Sequence, residues 1–270
     1  MPDLLGDLRV EILTANFSVL DGNQWGDPDP HADPFARLYG VRGGAGRFVL
    51  AGRRVALSRG DVALLPAGVP LQHHASPGLE LYWIHFTARV PAGASLFDVA
   101  DCEVRLRPAD GDATAAGLAR FERIVALAGA PGPGESLERQ GLLRLLLAPL
   151  VRRGRPHWTG RLERFERFRP GLAYIDAHLA EPVDVATLAA LVHLHPTYFA
   201  NRFAEAFGAP PRRYLVEKRV ERAQLLLQRT DEAIKTVAAR VGYPDVCYFT
   251  RVFRKVTGLT PAAYRARRRA

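Results

Sequence analysis

The hydrophobic pattern changes character once along the chain. Through the first hundred residues, apolar positions come in short runs. "RVEILTANFSVL" (9–20), "FARLYGVR" (35–42), "RFVLAG" (47–52), "RRVALS" (53–58), "DVALLPAG" (61–68) and "LELYWIHFTA" (79–88) are rich in Val, Leu and aromatics. Gly, Pro and Asp separate them, and Gly52 marks a hairpin turn. Short strands at regular spacing with turn signals predict a sandwich or barrel. "DPDPHADP" (27–34) reads as a polar, Pro-rich loop.

From residue 113 the period becomes helical. Leu118, Phe121, Ile124, Val125 and Leu127 recur near helical spacing. "GAPGPG" (129–134) breaks the run, and "SLERQGLLRLLLAPLVRR" (136–153) resumes it with Ser136 placed as a cap. This second helix is apolar over much of its circumference. One side must bury on its own domain. Another either packs on the strands or meets a second copy of the chain in a homodimer. "RRGRPHWTG" (152–160) reads as a linker with a basic edge.

Residues 170–270 hold an internal repeat. The first copy ends "YFANRFAEAFGAPPRRY" and the second "YFTRVFRKVTGLTPAAY". Phe199, Phe203, Gly208, Pro211 and Tyr214 recur 50 residues later as Phe249, Phe253, Gly258, Pro261 and Tyr264. Upstream, "LAALV" (188–192) matches "VAARV" (237–241) at an offset of 49. A change of one residue belongs in a turn, so each copy reads as helix, turn, helix. Asp184 can cap the first helix, and Pro196 suits the first position of the next, where a missing N–H costs nothing. Phe199, Phe203 and Phe207 share one face, as do Phe249, Phe253 and Val256. Ala189 and Ala239 (or Ala238) are small enough for two helices to cross closely. Gly208 and Gly258 fall where a left-handed C-cap is needed.

The opposite faces differ in kind. Thr197, Ala200, Asn201 and Ala204 line the first, and Val246, Cys247, Thr250, Arg251, Arg254 and Lys255 the second. A buried stripe behind a small or cationic face suits a helix entering a DNA major groove. A plain helical solenoid is the competing reading, but two copies joined by a long helix (212–228) fall short of the three that solenoids need.

Charge sharpens this picture. Residues 201–270 carry 16 Lys and Arg against 6 Asp and Glu, a net of +10 within a chain total of +9. A neutral front and a basic back point the back toward a polyanion such as double-stranded DNA. The chain has no apolar run long enough to span a bilayer and no signal-like start, which predicts a cytoplasmic protein. Cys102 and Cys247 lie far apart, which predicts two reduced thiols rather than a zinc site or disulfide.

The stretch "VAARVGYPDVCYFTRVFRKVTGLTPAAYR" resembles the signature of the AraC/XylS family of bacterial transcription regulators. It has Gly-Tyr-x-Asp, then Tyr-Phe-x-Arg-x-Phe-Arg, then Gly-x-x-Pro-x-x-Tyr-Arg. The resemblance implies seven C-terminal helices, with two helix-turn-helix units on a long bridging helix. It also implies a transcription activator that works with RNA polymerase and answers to a small-molecule effector such as a sugar. Thr197, Ala200, Asn201, Val246, Cys247, Thr250 and Arg251 are the expected DNA-facing residues.

The front half is similar to the family's cupin-like sensor domain through Gly-Asp-x-x-Leu-x-Pro-x-Gly-x-Pro (60–70) and the "YWIHF" strand. The His-x-His of metal-binding cupins is missing from "RLYGVRGGAG", and Leu71 stands where a later His would lie. No metal or other cofactor is expected, and no catalytic constellation stands out, which sets the enzyme reading aside. Leu79, Leu81, Trp83 and His85 share one strand face, as do Arg37 and Tyr39. A Trp ring with Arg and His donors suits a polyol, so Arg37, Tyr39, His73, Trp83 and His85 are the expected effector residues. The alternatives are that Trp83 is core and that the barrel serves only oligomerisation or protein interaction.

The expected architecture is α+β: a cupin-like barrel over 1–110, helices over 111–155 that complete it and dimerise, a linker over 156–166, and an all-α DNA-binding domain over 167–270.

Overall fold

The computed structural model describes residues 5–21, 32–91, 93–108, 112–129, 132–154 and 158–266. The chain divides into two compact units, residues 1–89 with 95–157, and 90–94 with 158–270. Part of the polar loop expected over 27–34 lies outside the described residues.

The first unit is built on two antiparallel sheets. One has five strands in the order β1 (Arg9–Leu20), β7 (Leu79–Arg89), β2 (Ala36–Gly43), β5 (Val62–Leu65) and β8 (Arg105–Leu106). The other has three, β4 (Arg53–Ser58), β3 (Ala45–Leu50) and β6 (Leu71–Ala75). The β3–β4 hairpin turns through Ala51 and Gly52, both at positive φ. That conformation matches the twist of the flanking strands. Inward residues of both sheets form one core, with Leu20, Tyr39, Val41 and Leu81 from the larger sheet and Phe48, Leu57 and Leu71 from the smaller.

Strand β2 is buried on both faces, which explains its nearly continuous apolar run. Its outward side meets helix α2 (Asp112–Ala126), and a Cβ on Gly40 would stand 2.8 Å from the Phe121 ring. Helix α3 (Pro133–Arg153) packs beside α2 and is tied to the residue just before β1 by a hydrogen bond from Arg144 Nη2 to the Leu8 carbonyl, 2.7 Å. Its N-cap is Gly132, not the expected Ser136, because Pro133 already supplies the first helical position. Three short elements had no sequence signal strong enough to predict them: helix α1 (Leu96–Val99), which Ser95 and Asp98 close with a capping box, strand β6 and the two-residue strand β8.

The second unit contains seven helices among the described residues: α4 (Trp158–Ala177), α5 (Val185–Ala190), α6 (Pro196–Phe207), α7 (Pro211–Arg229), α8 (Ile234–Arg240), α9 (Val246–Thr257) and α10 (Pro261–Ala266). Helix α4 corrects the linker expected over 156–166. Phe165 and Phe168 are buried, so this segment is held by its own apolar face. Among the described residues, no helix is long and apolar enough to cross a membrane.

Candidate nucleic-acid interface and barrel interior

The repeat in the sequence is a repeat in space. In the first half, Phe199 and Phe203 of α6 are fully buried, and Phe168 of α4 meets Phe199, Phe203 and Phe207 edge-on at 5.7 Å. Tyr214 of α7 meets Phe203 at 5.2 Å and 80°. In the second half, Phe249 and Phe253 of α9 are fully buried, and Tyr264 of α10 meets Phe253 at 5.6 Å and 76°. The same ring geometry 50 residues on anchors each helix by its inner face.

The third inward position of α9 is Thr257 and not the expected Val256. Val256 is 44% exposed. Thr257 holds the place equivalent to Phe207, and its hydroxyl donates to the Phe253 carbonyl at 2.9 Å. The small residue at the helix crossing is Ala238, which is buried, whereas Ala239 is exposed.

The extra residue of the second copy can now be located. Leu194 N–H donates to the Ala189 carbonyl and Tyr243 N–H to the Ala238 carbonyl, an offset of 49. Phe199 N–H donates to His195 and Phe249 N–H to Asp245, an offset of 50. The gain therefore falls between Tyr243 and Asp245, beside Pro244. Both recognition-type helices end on left-handed glycines, Gly208 at φ 73 and Gly258 at φ 78. They begin differently. The Asp245 carboxylate accepts from Cys247 N at 2.7 Å and Tyr248 N at 3.1 Å, whereas His195, the N-cap of α6, makes no side-chain cap bond.

Of the expected DNA-facing residues, Thr197, Asn201, Cys247 and Arg251 are exposed. Ala200 and Thr250 are half-buried, and the Thr250 hydroxyl turns back to the Val246 carbonyl at 2.8 Å. Val246 packs against the core around Phe249 and Phe253 rather than facing outward. Two exposed aromatics join this face beyond the expected set: Tyr198, 44% exposed, and Tyr248, 51% exposed, at equivalent places in α6 and α9. Each lies beneath an arginine. Arg202 is 5.4 Å from the Tyr198 ring centre and Arg251 is 5.7 Å from that of Tyr248. The signal was available, because a helix needs no exposed tyrosine for packing and here both copies carry one.

In the barrel, pairing brings four of the expected effector residues into one patch. Arg37 pairs across strands with His85, and Tyr39 with Trp83. His73 reaches the patch from the other sheet, its Nε2 2.8 Å from the Tyr39 hydroxyl. His74 is the next residue along β6 and takes the other face. Trp83 is half-buried against the core, and its indole N–H donates to the Ser18 hydroxyl at 3.0 Å. Arg37 is buried in an ion pair with Asp33 and lies over the Phe35 ring. His85 packs its ring on Phe35 and Trp83, 4.9 Å from each. Burial, with the Arg37 charge adding to it, pushes the His85 pKa down to about 3, so the imidazole is neutral at pH 7. Burial raises the Tyr39 phenol well above its ordinary value. A separate groove of about 440 Å³ lies between β1, α2 and α3, lined by residues that include Ile12, Asn16, Ile124 and Arg139.

The sequence matches an AraC-like ligand binding domain over residues 16–147 and a helix-turn-helix domain over residues 188–267. The chain belongs to the AraC family. Among similar proteins, the uncharacterized HTH-type transcriptional regulator YobQ of Bacillus subtilis is 35% identical over 94 residues, 35% of this chain and 39% of that one. The arabinose operon regulatory protein of Escherichia coli is 38% identical over 101 residues, 37% of this chain and 35% of its own. These matches span well under half the length of either relative. The structure of ToxT from Vibrio cholerae with bound unsaturated fatty acid is similar in fold, with a TM-score of 0.60 over 93% of this chain and 94% of that one. At 12% identity that likeness concerns the fold alone.

Proposed function

We propose that the protein is a sequence-specific, double-stranded-DNA-binding transcription regulator of the cytoplasm, an activator working with RNA polymerase. The observation that carries this reading is the duplicated helix α6/α9. Each is pinned by buried rings on one side and offers exposed polar or cationic side chains on the other. In α9 the outward set is Cys247, Tyr248, Arg251, Arg254 and Lys255. Arginine reads guanine through paired bonds to O6 and N7, and the equivalent Asn201 suits adenine. The basic balance of the C-terminal region supplies the phosphate term. Selection of bound duplexes from a random pool, followed by footprinting, tests this. Two protected major-groove segments on one face of the duplex are the expected result, and affinity without sequence preference would overturn it.

The barrel is the effector site in this reading. The Arg37 charge is answered by Asp33, and His85 is neutral, so the patch beside Trp83 suits an uncharged polyol such as a sugar. A fatty acid like that of ToxT would need an uncompensated cation for its carboxylate. Thermal-shift screening of sugars against fatty acids separates the two, since a ligand at 100 times its Kd stabilises by about 2.7 kcal/mol. A silent screen would favour a barrel used only for oligomerisation or protein interaction. The Bacillus subtilis and Escherichia coli relatives carry the names of regulators, which supports this reading over an enzyme.

Helix α3 supplies the dimer contact in this proposal. Leu137 and Leu145 are 72% and 52% exposed, and Gly141 lies between them on the same stripe. Light scattering of Leu145→Glu against the parent protein tests it, with a shift from dimer to monomer expected.

A further inference from the structure

The two halves of the second unit meet at a joint that lies in neither recognition-type helix. Arg219, in the middle of α7, donates from Nε to the Leu179 carbonyl at 2.7 Å and from Nη2 to the Glu181 carbonyl at 2.6 Å. Those carbonyls belong to the segment that follows α4, and α4 holds α6 through Phe168. The same guanidinium lies over the ring of Tyr243, 5.5 Å from its centre, in the turn of the second half. Tyr243 packs in turn on Tyr248 and Phe249 of α9, at 5.9 and 5.6 Å. One side chain thus touches the mechanical supports of both helices.

The neighbouring backbone closes the joint. Gly242 has φ +84, and a Cβ there would stand 2.6 Å from the Ala180 carbonyl oxygen. The equivalent turn residue of the first half is His193, also left-handed at φ 55 and exposed. A side chain is tolerated where the turn faces solvent. Glycine is required at 242 because the second turn presses onto the 178–181 segment of the first half.

We infer that Arg219 is a positioning residue that fixes the separation and twist of α9 relative to α6, and so sets the spacing at which the protein accepts two DNA segments. This rests on the DNA-binding reading above. Its physical basis is geometric. One inserted base pair moves the second segment by about 3.4 Å and turns it by roughly 35°. Only a stiff joint rejects that displacement. The planar fork of arginine can bridge two carbonyls and cover a ring at once, whereas a lysine ammonium is a point donor that cannot do all three.

The test uses the full chain in two ways. First, with Cys102 and Cys247 changed to Ser, spin labels at Glu205→Cys and Lys255→Cys report the distance between α6 and α9 without DNA. A narrow distribution is expected for the parent, a clearly broader one for Arg219→Ala, and an intermediate one for Arg219→Lys. Equal widths overturn the inference whether or not the protein binds DNA. Second, a duplex selected from a random pool is compared with versions carrying one base pair more or fewer between the protected segments. The parent should lose about tenfold or more on either shifted duplex, the scale of a mismatched site. Arg219→Ala should bind the original duplex more weakly and lose most of that discrimination. A parent that selects no duplex would defeat the DNA reading while the label distances still judge the joint. Unchanged discrimination in a folded variant would overturn the positioning role. If Arg219→Ala does not fold, Arg219→Lys is read by the same two measurements.

Discussion

The Arg251 guanidinium lies over the exposed ring of Tyr248, one helical turn away on α9 and 5.7 Å from the ring centre. The ring limits where the long side chain can reach, which favours a base reader over a freely moving phosphate contact. Arg251→Ala is expected to cost about 1–3 kcal/mol on the selected duplex and to flatten preference at one base pair. A phosphate role would instead weaken all sequences alike and reduce the salt slope by about one. Binding to selected and random duplexes, titrated at several salt concentrations, separates the two.

Arg254 and Lys255 are exposed. Arg254→Ala and Lys255→Ala should each lower the slope of log affinity against log salt by about 0.9 if each meets one phosphate, without changing base preference. A slope equal to that of the parent in both variants would move the duplex off this end of α9.

The caps predict an asymmetry between the halves. Asp245→Ala removes two hydrogen bonds to the first turn of α9 and should destabilise by about 1 kcal/mol. His195→Ala, at the equivalent N-cap of α6, removes no side-chain cap bond and should cost much less. Chemical denaturation of the two variants side by side would show equal losses if the cap geometry were wrong.

In the barrel, Trp83→Ala should abolish the thermal response to whichever sugar stabilises the parent, while binding to the selected duplex persists. Because the indole N–H is held by Ser18, Ser18→Ala should weaken the response less by freeing the ring to tilt. A Trp83→Ala protein with an undiminished ligand shift would make Trp83 a core residue only.

His85 gives the stability a pH dependence. Its pKa falls from 6.5 to about 3 on folding, so the unfolded chain binds the extra proton between those values. The contribution is complete above about pH 6.5 and declines as pH falls toward 3, by at most about 1.4 kcal/mol per pH unit. His85→Gln should flatten the fall in denaturation midpoint between pH 6.5 and 4 relative to the parent. Parallel curves would mean that the imidazole is hydrated in the folded state.

Local pattern was enough for much of the second unit. Its aromatic positions, left-handed glycines and helix-starting prolines recur at a fixed offset, and each depends on backbone geometry within a few residues. The strands β1, β2 and β7 were equally legible as short runs rich in Val, Leu and aromatics, and strand geometry gives every such run a period of two. The side-chain faces of β2 and β7 followed from the same period, and cross-strand pairing then set Arg37 against His85 and Tyr39 against Trp83.

Where a pattern was weak, the three-dimensional structure decided. Strand β6, "LQHHA", has no β-branched residue and only five positions, so nothing in it competes with a loop reading until β3 pairs with it. Val256 and Thr257 are neighbours on a helix, and one residue of phase, about 100°, separates a half-buried side chain from an exposed one. Polar contacts across long separations left no sequence trace at all: Tyr39 with His73 between two sheets, or Arg219 with the Leu179 carbonyl and the Tyr243 ring. The sequence by itself determined the elements, the duplication and the basic face, because propensity, period and charge are properties of short segments. The tertiary structure alone decided which charged and aromatic groups neutralise, bury or position one another, because those energies depend on distances that segments acquire only when they pack.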